Sequence, residues 1–374
     1  MFAVPLNTTD TIIDRHKKGA GLLKAKAERK FKKYFAQGLL ALPYGQLIEK
    51  IVPVLQAPKD SLEIRQIIDR PFSVIMEVVT DEGRSFFVKV YKLRNPEKQR
   101  AELEREFAVS RFWFDKFKDD PEHRVIEPIW LDVENLILIT RKSEGENLLK
   151  LTGRLHLFPA KRVQQRVHRS LSQAGQWLKK FQSFSIVEEV PYVKPPVELT
   201  FSFLQDYILI RLQRMVQNPK LDFDEHFQQK IIDYLKSLWQ KAGAQSERLT
   251  FAHTDFSLSN ILAAEDKVTV LDFNKCEINS PYKDLSRFYH QLYLLSFKPT
   301  FQKSVIEEMK ASFLQGYGAP LAKDHPMFQI FFIIHQVTHL GKISRFWERG
   351  LLENVYNHYL VSRVLKDLKQ TVLV

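Results

Sequence analysis

The chain has one cysteine, Cys276, in 374 residues. A lone thiol excludes a disulfide framework and any thiolate-rich metal site. Long hydrophobic runs are missing as well. The longest uncharged apolar stretch, FQIFFIIHQV at 328–337, is well short of the roughly 20 residues a membrane span needs. The opening MFAVPLNTTD lacks the basic-then-apolar pattern of a secretory signal. There is no internal repeat and no low-complexity tract. These absences together point to a reducing cytoplasm. Acid is in deficit: 44 Asp and Glu stand against 56 Lys and Arg, a formal net charge of +12. That surplus predicts an anionic partner without saying which. What is present is ordinary for a soluble globular protein, with 44% hydrophobic and 27% charged residues. The length suggests two or three domains with ample chain for a core.

The positive charge is unevenly spread. Residues 1–33 carry nine Lys or Arg against Asp10, Asp14 and Glu28, a surplus of six. Leu23, Ala27, Phe31 and Tyr34 recur among these cations at helical spacing, so the segment reads as a basic amphipathic helix. Such a helix either docks on the body of the protein or lies on anionic lipid headgroups. A second basic stretch, RLHLFPAKRVQQRVHRS at 154–170, contains no acid. It reads as a solvated helix face or as a groove for an anionic ligand. Residues 285–374 are also net basic, with eleven Lys or Arg and six Asp or Glu.

Residues 61–91 have strand character. SVIMEVVT and SFFVKVY are rich in β-branched and aromatic residues, with Asp81, Glu82 and Gly83 supplying the turn between them. Pro96 then opens a strongly helical segment. VIEPIWLDVENLILITRK follows as two short strands turning at Asp132–Asn135. The order describes a small lobe of about five antiparallel strands and one packed helix. After a crossing segment at 144–151 the pattern is helical from roughly 160 to 245, with Leu171, Ala174, Trp177, Leu178 and Phe181 on one face. Short strands and loops occupy 249–273, and helices run from 283 onward. The expected class is α+β, divided as a basic helical extension over 1–60, a sheet-containing lobe over 61–143 and a helical lobe over 144–374.

The chemistry is concentrated in LTFAHTDFSLSNILAAEDKVTVLDFNKCEINSPYKDLSRF. It contains His253, Asp255 and Asn260 as H-x-D-x-x-x-x-N, and twelve residues later Asp272 at the end of an apolar strand. Phosphoryl transfer requires this kind of set. One carboxylate orients an attacking hydroxyl and accepts its proton; a second carboxylate and a carboxamide hold Mg²⁺ against nucleotide phosphates.

These motifs resemble the aminoglycoside phosphotransferase and choline kinase branch of the protein-kinase-like fold, in which the loop reads H-G-D-x-x-x-x-N and the metal motif is D-W or D-F. The lipopolysaccharide sugar kinases share the fold. Here Thr254 replaces the glycine, and Pro281 with Asp284-Leu285 matches P-x-x-D-L. The resemblance implies a bilobal, ATP-dependent kinase using Mg²⁺. Asp255 would be the catalytic base, and Asn260 and Asp272 the metal ligands. His253 would brace the loop, and Asp284 would buttress it. Lys89, in SFFVKVY, would meet the nucleotide phosphates and pair with a helix glutamate, Glu106 or, one turn earlier, Glu102. The stretch Ile139 to Lys142, with Arg141 inside it, would hydrogen-bond adenine through its backbone. No glycine-rich turn joins the first two strands (IIDRPFSVIMEV), and no A-P-E element follows Asp272. Both departures argue against a protein substrate.

Cationic aminoglycosides need an acidic groove. The basic helical lobe instead predicts an anionic acceptor: a small sugar or a glycolipid of lipopolysaccharide type, presented at the inner membrane face if the basic N-terminal helix meets lipid. In FFIIHQVTHLGKISRFWERG, the residues His335, His339, Lys342, Arg345, Trp347 and Arg349 are candidates to line the acceptor site. His335 and His339 lack the glutamate of H-E-x-x-H, so zinc is not expected. Two other classes compete: a silent kinase-fold scaffold and a nucleic-acid binder. The first would usually have lost one of Lys89, Asp255, Asn260 or Asp272. The second has no recognisable signature here, and no nucleic-acid partner is expected.

Overall fold

The computed structural model describes residues 9–58, 61–155, 160–195, 198–219, 221–243, 249–343 and 351–373. The chain divides into two compact units. One comprises Met1–Asp119 and Val125–Ser143; the other comprises Asp120–Arg124 and Glu144–Val374.

The first unit is built on a five-stranded sheet of order β1-β2-β3-β6-β5, antiparallel throughout. Its strands are β1 (Glu63–Asp69), β2 (Ser73–Val79), β3 (Ser85–Tyr91), β5 (Pro128–Asp132) and β6 (Ile137–Arg141). Strict alternation along β3 sends Phe86, Val88 and Val90 into a core and leaves Phe87, Lys89 and Tyr91 on the other face. Helix α3 (Pro96–Phe117) has Pro at its first turn and the Asn95 side chain accepting the Lys98 N–H. Its Leu103 packs with Leu136 and Leu138. The turn from β1 to β2 closes with the Arg70 N–H donated to the Ser73 carbonyl, and none of its residues lies at positive φ. That turn therefore requires no glycine.

The strands and α3 match the expected lobe, but two more helices complete it. They are α1 (Thr9–Ala36) and α2 (Tyr44–Leu55). Ala27 and Phe31 of α1 and Leu47, Ile51 and Leu55 of α2 are buried in one cluster with Val74, Met76, Val88 and Val90 of the sheet. Lys30 and Tyr34 of α1 also reach the Asp69 carboxylate, at 2.6 and 2.5 Å. The apolar stripe of α1 from Leu23 to Tyr34 is thus consumed by the protein's own sheet. The cations Lys24, Lys26, Lys32 and Lys33 face solvent, as do Leu22 and Phe35 at the edges of the stripe.

The second unit is mainly helical. Its helices are α4 (Leu148–Thr152), α5 (Lys161–Ser183), α6 (Phe201–Val216), α7 (Glu225–Ala242), α8 (Tyr282–Leu295), α9 (Lys303–Tyr317), α10 (Pro326–Ile343) and α11 (Leu351–Val372). Helices α6, α7, α10 and α11 share one apolar cluster. Helices α5 and α9 cross very closely. A Cβ on Gly175 would lie 2.3 Å from the Phe313 carbonyl oxygen, and one on Gly316 would lie 2.0 Å from that of Ser172. The helical pattern expected across 160–245 is interrupted between Phe184 and Thr200, where Pro191 and Pro195 cannot continue a helix.

Two small sheets carry the loops. A four-stranded sheet has the order β4-β10-β9-β7, with β4 (His123–Val125), β7 (Glu146–Asn147), β9 (Ile261–Ala263) and β10 (Val268–Val270). A two-stranded sheet pairs β8 (Thr250–Ala252) with β11 (Glu277–Asn279). Among the described residues, no helix is long and apolar enough to cross a membrane.

Candidate active site

The sequence motifs fall on both units, and each unit builds its own part. In the first unit, Lys89 of β3 lies between Ile75 of β2 and Leu138 of β6 in register. Its ammonium is 3.1 and 3.4 Å from the two carboxylate oxygens of Glu106 on α3. Glu106 is only 7% exposed and also accepts a hydrogen bond from the Tyr91 hydroxyl. The Lys89 ammonium sits 4.5 Å from the centre of the Tyr91 ring. A buried carboxylate is stable only when paired, and here a cation and a phenol pair it. Glu102, the other sequence candidate, is instead 3.8 Å from Lys98 in an exposed i,i+4 pair. Ile139 is fully buried in β6, between Val88 and Trp130. The Arg141 and Lys142 N–H groups are donated to the Glu127 and Ser85 carbonyls, both at 2.9 Å. Those two amides are therefore already engaged within the unit.

In the second unit, β8 delivers His253, Thr254 and Asp255, and a 3₁₀ turn over Leu258–Asn260 leads into β9. The loop hangs on Asp284, which is wholly buried near the start of α8. One Asp284 oxygen accepts the His253 N–H at 2.5 Å, and the other accepts the Thr254 N–H at 2.8 Å. The buried His253 ring spans the loop. Nε2 donates to the Leu271 carbonyl at 3.0 Å, and Nδ1 accepts the Asp255 N–H at 3.3 Å. Burial holds the His253 pKa below its ordinary value, which keeps the ring in the neutral form this pattern requires.

Thr254 occupies φ +61°, a left-handed conformation unusual for a β-branched residue. Its hydroxyl donates to the Lys275 carbonyl at 3.0 Å, which ties the loop to the segment after β10. Asp272 also lies at positive φ, +66°, where Asp is better tolerated. The Leu271 N–H bonds the Asn260 carbonyl at 2.9 Å, so the chain brings Asn260 and Asp272 together at the end of the β9–β10 ladder.

Aromatic rings fix the flanking residues. Phe256 stacks on Trp177 at 5.6 Å between centroids, and Trp177 stacks on Phe181 at 5.1 Å. Phe273 packs against His253 at 4.6 Å and Phe181 at 6.1 Å. One buried platform thus anchors the neighbours of both Asp255 and Asp272.

Two partners of Asp255 escape the motif reading. The Arg287 guanidinium of α8 bonds one Asp255 oxygen, and the Lys275 ammonium lies 4.0 Å from the other. Burial acts to raise the Asp255 pKa, but these two cations outweigh it and hold the carboxyl below its ordinary range. Arg287 lies three residues after Asp284 on the same helix, hence on the same face, which is the one signal that could have found it. Lys342 of α10 feels the same cluster. Its pKa is lowered by partial burial and by the nearby charges of Arg287, Lys275 and Arg211.

Of the other acceptor candidates, His335 donates from Nε2 to the Lys283 carbonyl at 3.0 Å, and its ring lies 6.2 Å from that of buried His290. His339 is 5.6 Å from His290. These histidines join α8 to α10 in packing. Arg345, Trp347 and Arg349 lie outside the described residues.

The donor set fits magnesium. Among the described residues, no three His, Cys, Asp or Glu side chains gather to hold a metal alone. Mg²⁺ commonly takes one or two protein oxygens and completes its shell with phosphates and water. The Asn260 amide nitrogen donates to the Asp255 carbonyl at 3.0 Å, which leaves Oδ1 as that side chain's acceptor.

A profile of the phosphotransferase enzyme family matches residues 75–322. No curated protein sequence matches the chain. Among solved structures, choline kinase from Cryptosporidium parvum aligns with a TM-score of 0.57 at 14% identity, covering 88% of this chain and 96% of that one. Ethanolamine kinase from Plasmodium vivax aligns with a TM-score of 0.57 at 13% identity, over 99% of this chain and 97% of the other. An aminoglycoside phosphotransferase bound to streptomycin and ATP gives a TM-score of 0.55 at 14% identity, over 88% and 97%. At such identities the likeness concerns the fold.

Proposed function

Because the chain belongs to the phosphotransferase enzyme family, we propose that it moves the γ-phosphate of ATP to a hydroxyl of an anionic acceptor, a sugar or a glycolipid. The observation that carries this reading is the clamped loop. Asp284 and His253 fix Asp255 beside the Asn260–Asp272 pair, the set that in-line phosphoryl transfer needs.

In the proposed mechanism Asp255 receives the acceptor hydroxyl, orients it and takes its proton as transfer proceeds. Its lowered pKa keeps it ionised at neutral pH, so its first task is orientation. Asn260 and Asp272 would hold magnesium, which when bound offsets the charge on the nucleotide phosphates. Lys89, steadied by Glu106 and Tyr91, positions those phosphates. The adenine contact falls to groups of the Ile139–Lys142 stretch other than the Arg141 and Lys142 amides, which are already bonded.

The anionic acceptor is supported by the charge around Asp255. Arg287 and Lys275 both reach the Asp255 carboxylate, and Lys342 lies close enough to feel its charge. Such a site repels a polyamine and attracts a phosphate or carboxylate next to the reacting hydroxyl. If the acceptor is a glycolipid, the exposed cations of α1 would meet its membrane, because the apolar stripe of that helix is already packed.

The test is a comparison of acceptors with purified protein, ATP and Mg²⁺. Phosphorylated or carboxylated sugars and acidic glycolipids should be phosphorylated, and kanamycin-like amines should not. Efficient transfer to the amines with none to the acids would overturn the acceptor assignment.

A further inference from the structure

The arginines of the second basic stretch take no part in the chemistry above, yet the structure gathers them around a cavity of about 510 Å³ in the second unit. Arg162, Arg166 and Arg169 come from α5, and Arg154 from just beyond α4. Glu265, in the turn between β9 and β10, is the one carboxylate in the lining. The volume is that of a small-molecule site.

Positions 162, 166 and 169 follow i, i+4, i+7 and so share one face of α5. The opposite face, with Val167, Leu171, Ala174 and Trp177, is in the core. Three like charges in a row on one helix face repel one another, and a bound anion would relieve that repulsion. Two of the guanidiniums are fixed by the protein. Arg154 bonds Glu146 at 2.6 Å, and Arg166 donates to the Ala263 carbonyl at 3.3 Å. The Arg166 Nε is buried with no acceptor. Arg162 and Arg169 have no partner among the described residues. The first turn of α5 adds to the positive field. Its N-cap, Ala160, offers no side-chain bond, and no acid stands in that turn. Such a helix start favours phosphate.

We propose that this cavity is a binding site for a ligand carrying at least two phosphate groups. Arg154 and Arg166 form fixed walls, and Arg162 and Arg169 close on the ligand. Guanidinium suits this task because its planar fork binds phosphate oxygens in pairs. The site is separate from the phosphate-transfer chemistry. It lies at the far end of β9 from Asn260, about 10 Å along the strand. The proposal does not depend on the kinase reading.

The test is calorimetric titration of the full chain with sodium tripolyphosphate, without magnesium. A parallel arm measures sedimentation with vesicles containing cardiolipin, whose headgroup also carries two phosphates. Tripolyphosphate should bind at least tenfold more tightly than inorganic phosphate, and binding should weaken steeply with salt. Arg162→Ala with Arg169→Ala should reduce binding at least tenfold without altering thermal unfolding, since both side chains are exposed. Lys89→Ala removes the cation assigned to the nucleotide phosphates and should leave the Arg162- and Arg169-dependent part of the binding in place. Arginine-dependent binding of tripolyphosphate supports the site with a soluble ligand. Arginine-dependent sedimentation alone supports it with a lipid headgroup. Binding that survives the double substitution, binding lost in Lys89→Ala instead, or no binding in either arm overturns the proposal.

Discussion

Replacing Asp284 with alanine tests the clamp on the catalytic loop. Its two carboxylate oxygens accept the His253 and Thr254 N–H groups at 2.5 and 2.8 Å in a site with no solvent exposure. Water cannot readily take over either bond. A buried donor left without an acceptor costs about 1–3 kcal/mol, so the two together cost about 2–6 kcal/mol. That is a large share of a typical stability of roughly 5–15 kcal/mol. Burial pushes the Asp284 pKa up, so a neutral isostere should recover part of the loss. Asp284→Asn still offers one oxygen and should lose about half as much by the same reckoning. Urea unfolding followed by the fluorescence of Trp177, which lies in the aromatic platform, would read the change. Phosphate transfer to the best acceptor should fall further than stability, because Thr254 and Asp255 lose their anchor. An Asp284→Ala protein that unfolds within about 0.5 kcal/mol of wild type, the usual scatter of a neutral surface change, would refute the reasoning.

Three further outcomes are expected. His290, His335 and His339 are packed together, and burial first, then their like-charged neighbours, push their pKa values down, to about 3 for His335 and about 4 for His339. Above an unfolded value of about 6.5 both states are neutral and stability is full. Below it the unfolded chain binds protons that the fold refuses, so stability falls toward pH 3–4, by about 2 kcal/mol per histidine at pH 5. Urea unfolding at pH 7 and 5 should show this loss, and a His290→Gln protein with an unchanged pH slope would count against it. Glu106→Gln leaves Lys89 without its ionic partner, a charged hydrogen bond of about 1.5–3 kcal/mol, and should lower kcat/KM for ATP at least about tenfold. Glu102→Gln should change it little, and equal effects from the two would contradict the pairing. Thr254→Gly removes strain at φ +61° but also the bond to the Lys275 carbonyl, so stability should shift by about 1 kcal/mol or less while turnover drops. A gain in turnover would show that the hydroxyl tie is dispensable.

The strand character of SFFVKVY and the helix start at Pro96 were readable because local propensity and burial agree there. The loop from His253 to Asn260 was readable as one unit because its motif sets particular residue types at short spacing, and the structure ties those residues to one another. The docking of α1 was only half readable. Its amphipathic stripe was plain, but a stripe does not say whether sheet or lipid covers it, and Phe31 turned out to lie against the core of the first unit. Arg287 was hidden for a different reason. It lies thirty-two residues from Asp255, and its spacing from Asp284 puts it on the right face of α8 without showing how that helix is set beside the loop. The four-arginine cavity depended on tertiary structure too. Three of its arginines are periodic along α5, but a cavity exists only because Arg154 and the β9–β10 turn come up beside that helix. His335 and His339, which looked like acceptor ligands by their place in a polar-edged helix, are occupied in joining α10 to α8.

The central claim is that Asp255 serves phosphate transfer from ATP to an acceptor hydroxyl. Its most direct measurement is single-turnover transfer of labelled γ-phosphate by wild type and Asp255→Ala, with Mg²⁺–ATP binding measured on both proteins. Transfer should fall by about a thousandfold or more, within the range for loss of a positioned base and its orienting role. The nucleotide affinity should stay within about threefold, less than 1 kcal/mol. Near-full transfer by Asp255→Ala would contradict the claim.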